Sequence, residues 1–99
     1  MEIKKLQNDK ELIISLEGEL NTVTAPQLEE VISSSLKGIT SLIFDFKGLN
    51  YLSSAGLRVL LVASKIMNKQ GKMVIRNVNE QIIEIFEMTG FINILDVEN

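Results

Sequence analysis

The chain contains no histidine, no cysteine and no tryptophan, and only one proline among its 99 residues. Without histidine it lacks the side chain that titrates nearest neutral pH and most often serves as general base or metal ligand. Without cysteine it has no thiol nucleophile, no disulfide and no thiolate for a soft metal. Most self-contained catalytic constellations are thereby excluded, and the sequence suggests neither a cofactor nor a metal. Aromatic side chains are scarce as well: Phe44, Phe46, Tyr51, Phe86 and Phe91 are the whole supply. Ten basic residues against thirteen acidic ones leave a net charge of −3, and the longest basic cluster is Lys4-Lys5. A nucleic-acid binder needs clustered cations for phosphates and rings for bases, so nucleic acid is not an expected partner. The opening MEIKKLQNDKE lacks the apolar centre of a signal peptide, and no apolar run approaches the roughly 18 residues of a membrane span. The expectation is a cytoplasmic protein without direct membrane insertion.

What remains is a composition typical of a globular domain, 45% hydrophobic and 23% charged. The length suits one core, so residues 1–99 are read as one domain. Two short strands, 3–7 and 12–17, flank the turn-forming Asn8-Asp9-Lys10, and Gly18 is expected to end the second. A polar loop, Glu19 to Val23, leads to Thr24-Ala25-Pro26-Gln27, where Thr24 is placed to cap a helix running to about Leu36. Leu42 to Phe46 is an apolar run broken only by Asp45, the pattern of a strand covered on both faces. A long helix is expected from about 55 to 70, a strand at 73–76, a helix at 79–89 and a last strand at 92–97. This order predicts an α/β fold: a small mixed, mostly parallel sheet of about five strands with helices packed on it.

Folding explains least in the stretch Asn50-Tyr51-Leu52-Ser53-Ser54-Ala55-Gly56-Leu57-Arg58-Val59-Leu60-Leu61. Gly56 in a first helical turn costs about 0.5–1 kcal/mol relative to alanine, so the missing side chain must admit a close neighbour, either the sheet or a partner. On a helical wheel Val59, Leu60, Val62, Ala63, Ile66 and Met67 form a broad arc for the sheet, opposite a basic stripe of Arg58, Lys65 and Lys69. Leu57 and Leu61 fall beside that stripe, with Ser54 on the same azimuth, and make either the edge of the core or a small partner surface. Ser53 and Ser54 are good helix caps, a role that needs only one of them. A hydroxyl at a helix N-terminus is also a favourable site for a phosphate, stabilised by free N–H groups and the helix dipole, with Arg58 four residues on from Ser54.

At this segment the sequence resembles the STAS-domain anti-sigma factor antagonists of bacteria. The resemblance runs through Glu17-Gly18-Glu19-Leu20-Asn21 and Leu42-Ile43-Phe44-Asp45-Phe46, and is most specific over Tyr51-Leu52-Ser53-Ser54-Ala55-Gly56-Leu57-Arg58-Val59-Leu60. It implies a protein that binds an anti-sigma factor with serine kinase activity, frees the sigma factor, is switched off by phosphorylation and is reset by a PP2C-type phosphatase. Registered on Gly56-Leu57, the phosphoacceptor falls on Ser54, with Ser53, at the aspartate position of the family's Asp-Ser-Ser-Gly form, as second choice. The implied partner-binding residues are Asn21, Thr22, Ser53, Gly56, Leu57, Arg58 and Leu61. A second reading is an accessory STAS subunit of a membrane lipid transport ABC system, whose members often lack a phosphorylatable serine. An enzyme is the third and weakest, because Asp45 alone has no base, nucleophile or metal cluster beside it.

Overall fold

The computed structural model describes residues 1–98. In chain order the elements are β1 (Glu2–Asn8), β2 (Glu11–Leu20), α1 (Ala25–Ser35), β3 (Ser41–Leu52), α2 (Ser54–Asn68), β4 (Lys72–Arg76), α3 (Glu80–Thr89), a 3-10 turn at Phe91–Asn93, and β5 (Val97–Glu98). The strands form one five-stranded sheet in the order β1-β2-β3-β4-β5, with β1 antiparallel to β2 and every later pair parallel. The expected fold class is the one observed. Because the strand order never reverses, right-handed crossovers bring α1, α2 and α3 to the same face of the sheet.

On that face Leu12, Ile14 and Leu16 of β2, Leu42, Phe44 and Phe46 of β3, and Ile75 of β4 meet the helices' Leu28, Ile32, Leu60, Ala63, Met67, Ile82 and Phe86. The alternation within each strand follows from the pleat, which sends successive side chains to opposite faces. Phe44 and Phe46 stack edge to face with centroids 5.9 Å apart. The opposite face carries Ile13, Ile43 and Val74, which are half-buried and have no helix over them. The expectation that β3 is covered on both faces is therefore corrected: one face is covered.

Three boundaries also differ from those expected. β2 does not end at Gly18 but continues to Leu20, with Gly18 at a left-handed φ of +104°. β3 does not end at Phe46 but continues to Leu52, paired to β2 throughout. Its register slips twice: Ser15 and Glu17 oppose Asp45 and Gly48, and Gly18 and Glu19 oppose Leu49 and Tyr51, so β3 carries one extra residue at each step. Each bulge rotates the strand, which is why its buried positions pass from Leu42, Phe44 and Phe46 to Leu49 and Leu52, a spacing of three. The third difference is at the end of the chain, where 92–97 is mostly a 3-10 turn and loop and only Val97–Glu98 pairs with β4.

The helix ends follow local chemistry. Asn79 caps α3 by accepting from the Ile82 N–H at 2.9 Å, while its own Nδ2 donates to the Leu49 carbonyl at 3.0 Å and ties α3 to the bulged end of β3. Gly90 closes α3 in the left-handed conformation at φ +81°. Gly71 is required for a different reason: a side-chain carbon there would collide with the Thr40 carbonyl oxygen, which accepts the Lys72 N–H at 3.1 Å.

Asp45 is held by the backbone two residues on and by the residue that follows β4. Its Oδ1 accepts from the Lys47 N–H at 3.0 Å and from Asn77 Nδ2 at 2.9 Å. Partial burial pushes its carboxyl up, but these two hydrogen bonds and the charges of Arg76 and Lys47 outweigh that and hold it below the usual carboxylate range. A lowered folded-state value contributes stability above the unfolded value, near pH 3.9, that is lost as pH falls through the folded value. Asp45→Asn is expected to flatten the acid limb of the stability–pH curve below about pH 4, measured by urea denaturation between about pH 2 and 7. An unchanged acid limb would show that Asp45 contributes nothing to acid sensitivity.

Candidate functional site

The residues singled out from the sequence gather where the parallel strands β2 and β3 finish side by side. Glu19 pairs with Tyr51 and Leu20 with Leu52, the last step of the register. The chain then diverges: β2 passes into the 21–24 loop and α1, while β3 turns at Ser53 into α2. One hydrogen bond joins the two exits, from the Ser53 N–H to the Leu20 carbonyl at 2.9 Å. Loops at the carboxyl ends of parallel strands are where open α/β sheets place their binding residues.

Asn21 builds the first loop. Its Oδ1 accepts from the backbone N–H groups of Val23 and Thr24 at 3.0 and 3.1 Å, a side chain standing in for a backbone turn. Thr24 does not cap α1 with its side chain, as was expected. Its Oγ1 instead donates to the Glu19 carbonyl and accepts from the Asn21 N–H, each at 2.8 Å. Both side chains are thus used to hold the loop, and Thr22 and Val23 project outward, Val23 at 85% exposure.

Ser53 is the N-cap of α2 in extended conformation, φ −96° and ψ 175°. Its hydroxyl makes no cap: Oγ is buried and without a hydrogen-bond partner among the described residues. Ser54 is the first residue of the helix, and its side chain is exposed. With no side chain capping the first turn, its N–H groups and the positive end of the helix dipole act beside the Ser54 hydroxyl. Arg58, one turn on, is exposed and forms no ion pair among the described residues. Tyr51, at the end of β3, is 42% exposed.

The helix face differs from the wheel in a specific way. Leu57, expected at the partner surface, is buried at 5% exposure and belongs to the core. Gly56 is buried too, because a side-chain carbon there would lie 2.6 Å from Leu52 Cδ1 and 2.7 Å from Leu20 Cγ. Its close neighbours are the ends of β2 and β3, which is the packing alternative rather than the partner one. Val62, expected over the sheet, is 42% exposed, and Leu61 is half-buried. α2 is the central helix and also meets α1, so its buried arc extends through Gly56, Leu57, Leu60, Ser64 and Met67. The exposed face then reads Ser54, Arg58, Val62 and Lys65, with the half-buried Leu61 at its edge.

The structure therefore brings Asn21, Thr22, Ser53, Ser54 and Arg58 to one end of the molecule, continues them along α2 through Leu61, and withdraws Gly56 and Leu57 into the core. Val23 and Tyr51 were missed. The available signal was an apolar residue inside a polar loop and the lone tyrosine one register step from Ser53. Among the described residues no three Asp or Glu side chains are grouped to hold a metal ion. The arrangement presents an exposed serine hydroxyl with an apolar and cationic surround.

Comparison with known proteins gives this arrangement its family. The STAS domain model matches residues 2–99, and the chain belongs to the STAS domain family. It is 40% identical over 93 residues to BtrV of Bordetella bronchiseptica, a protein named as an anti-sigma factor antagonist, covering 92% of this chain and 80% of that one. In fold it is similar to an anti-sigma factor antagonist from Mycobacterium paratuberculosis, with a TM-score of 0.87, 22% identity, and coverage of 97% of this chain and 83% of that one. The SpoIIAA structures show the same fold in unphosphorylated and phosphorylated forms. Their TM-scores are 0.78 and 0.77 at 18% and 19% identity, each covering 99% of this chain and 88% and 92% of the other.

Two substitutions separate packing from surface. Leu57→Ala is expected to destabilise the fold by about 2–5 kcal/mol through the cavity it leaves. Gly56→Ala is expected to cost about 1–3 kcal/mol by overpacking against Leu20 and Leu52, despite alanine's better helix propensity. Both are read from thermal or urea unfolding, and a Leu57→Ala variant as stable as the parent would return Leu57 to the surface.

Proposed function

We propose that this protein is an anti-sigma factor antagonist that works as a phosphorylation-controlled binding module and not as an enzyme. Unmodified, it binds an anti-sigma factor that is also a serine kinase and so releases the sigma factor held by that partner. The Ser54 hydroxyl oxygen then attacks the γ-phosphorus of ATP held by the kinase, ADP leaves, and the hydroxyl proton passes to a base of the kinase. This chain need only present the acceptor, which fits its lack of histidine and cysteine. The observation that carries the reading is the placement of Ser54: exposed, first in α2, beside an uncapped helix terminus and one turn from the unpaired Arg58. The identity to BtrV supports the partner class, and the fold shared with phosphorylated SpoIIAA supports the modification.

The switch follows from where the charge lands. A phosphate adds about −1.5 to −2 at neutral pH. On Ser54 it is tolerated within this chain, because the helix terminus and Arg58 stabilise it. Against a partner packed on Thr22, Val23, Tyr51 and Leu61 it must be desolvated, and binding weakens. Ser53 is the poorer acceptor because its oxygen is enclosed, and its extended cap conformation instead sets the direction of α2. A PP2C-type phosphatase reverses the modification and returns the protein to its binding form.

Incubation with the cognate kinase and ATP, followed by mass spectrometry, is expected to place one phosphate on Ser54. Ser54→Ala is expected to bind the kinase and stay active in its presence, and Ser54→Asp to bind at least about tenfold more weakly. Phosphate on Ser53, or equal binding by Ser54→Asp, would contradict the assignment.

A further inference from the structure

The helix-free face of the sheet carries an ordered pattern of its own. The register aligns three rows across it. Leu6, Ile13, Ile43 and Val74 make an apolar row running through β1 to β4. On one side of it lie Glu11, Ser41 and Lys72, and on the other Lys4, Ser15, Asp45, Arg76 and Glu98. Leu6 is 65% exposed, and Ile13, Ile43 and Val74 stay half-buried with no element above them. β3 has the continuous apolar composition of a strand covered on both sides, yet the monomer covers only one.

We propose that this face is a self-association surface, on which two copies of the chain pack sheet to sheet about a two-fold axis running along β3. The charges favour a second copy over an unrelated partner. Such an axis sets β2 of one copy over β4 of the other and preserves the order of the rows, so the Ile13, Ile43 and Val74 part of the apolar row meets its own copy, while Leu6 lies at the edge, level with Asp96. Ile43 then faces its own counterpart, and Ile13 faces Val74. Glu11 faces Lys72 and Lys72 faces Glu11, which gives two opposite-charge pairs by symmetry. In the outer row Lys4 faces Glu98 and Ser15 faces Arg76. The one like-charge meeting is Asp45 with its copy on the axis, where Oδ1 is already turned toward Lys47 N–H and Asn77.

The size of the face sets the strength. Five strands at about 4.8 Å spacing and rows two residues apart give a contact of roughly 400 Å² per copy, about half of the ~800 Å² per partner in a stable complex. The dimer is therefore weak and concentration-dependent. It leaves the Ser54 end free, since the site lies at the strand ends and on the helix side.

Sedimentation velocity over a wide range, about 10 µM to 2 mM, is expected to show a monomer–dimer equilibrium, as a contact below the standard size implies. Glu11→Lys and Lys72→Glu are each expected to weaken it about tenfold or more, because each sets like charges opposite one another twice. Their equimolar mixture is expected to recover the dimer, since the two variants complement each other across the axis. Circular dichroism keeps folding under control, as both side chains lie on the open face. A protein that stays monomeric throughout, a dimer indifferent to both variants, or a mixture that fails to recover would overturn the proposal. So would a monomeric protein whose open face instead retains an unrelated partner.

Discussion

The parallel pairing of β2 and β3, carried through two bulges to their final residues, is the constraint on which the site depends. It brings Leu20 beside Leu52 and lets the Leu20 carbonyl accept the Ser53 N–H at 2.9 Å. That bond fixes where α2 begins relative to the 21–24 loop. Gly56 is the second half of the constraint, because only a residue without a side chain lets the first turn of α2 lie against Leu20 and Leu52. The exposed Ser54, a loop held by Asn21 and Thr24, and an exposed tyrosine are thereby held on one edge. Precision of this kind suits the proposed function, in which the Ser54 oxygen has to reach a phosphorus atom fixed in another protein.

The electrostatics of the protein are local rather than global. A net charge of −3 says little about partners, whereas the uncapped start of α2 with Arg58 one turn on makes a small positive field at the one exposed hydroxyl that matters. A modification there changes the surface without changing the core. Ser54 contributes no packing, while its neighbours Gly56 and Leu57 contribute a great deal. Under the proposed function, this division of labour within four residues lets a switch act on binding and leave stability alone.

Most of the architecture was legible in the sequence because local signals and tertiary packing agree. The helix read at 79–89 is capped by Asn79 at one end and closed by Gly90 just past the other. Legibility failed where an irregularity changes the period. The bulges of β3 turn a two-residue alternation into the three-residue spacing of Phe46, Leu49 and Leu52, which reads as a loop. The same failure placed the end of β2 at Gly18, a glycine that serves the irregular pairing. The wheel misjudged Leu57 and Val62 because it assumes a helix buried on one side only, whereas α2 lies against both the sheet and α1. The place of Ser54 at the start of α2 was legible from capping chemistry, and the exposure of Val23 and Tyr51 was not, since exposure is set by how the two loops meet in space.

The central claim is that one phosphate on Ser54 decides whether this surface binds its partner. Titration calorimetry of the cognate anti-sigma factor against the purified unmodified and Ser54-phosphorylated forms measures it directly. The account predicts that the phosphorylated form binds at least about 100-fold more weakly, ~2.7 kcal/mol, with the same unfolding transition. Equal affinities for two equally folded forms would contradict it.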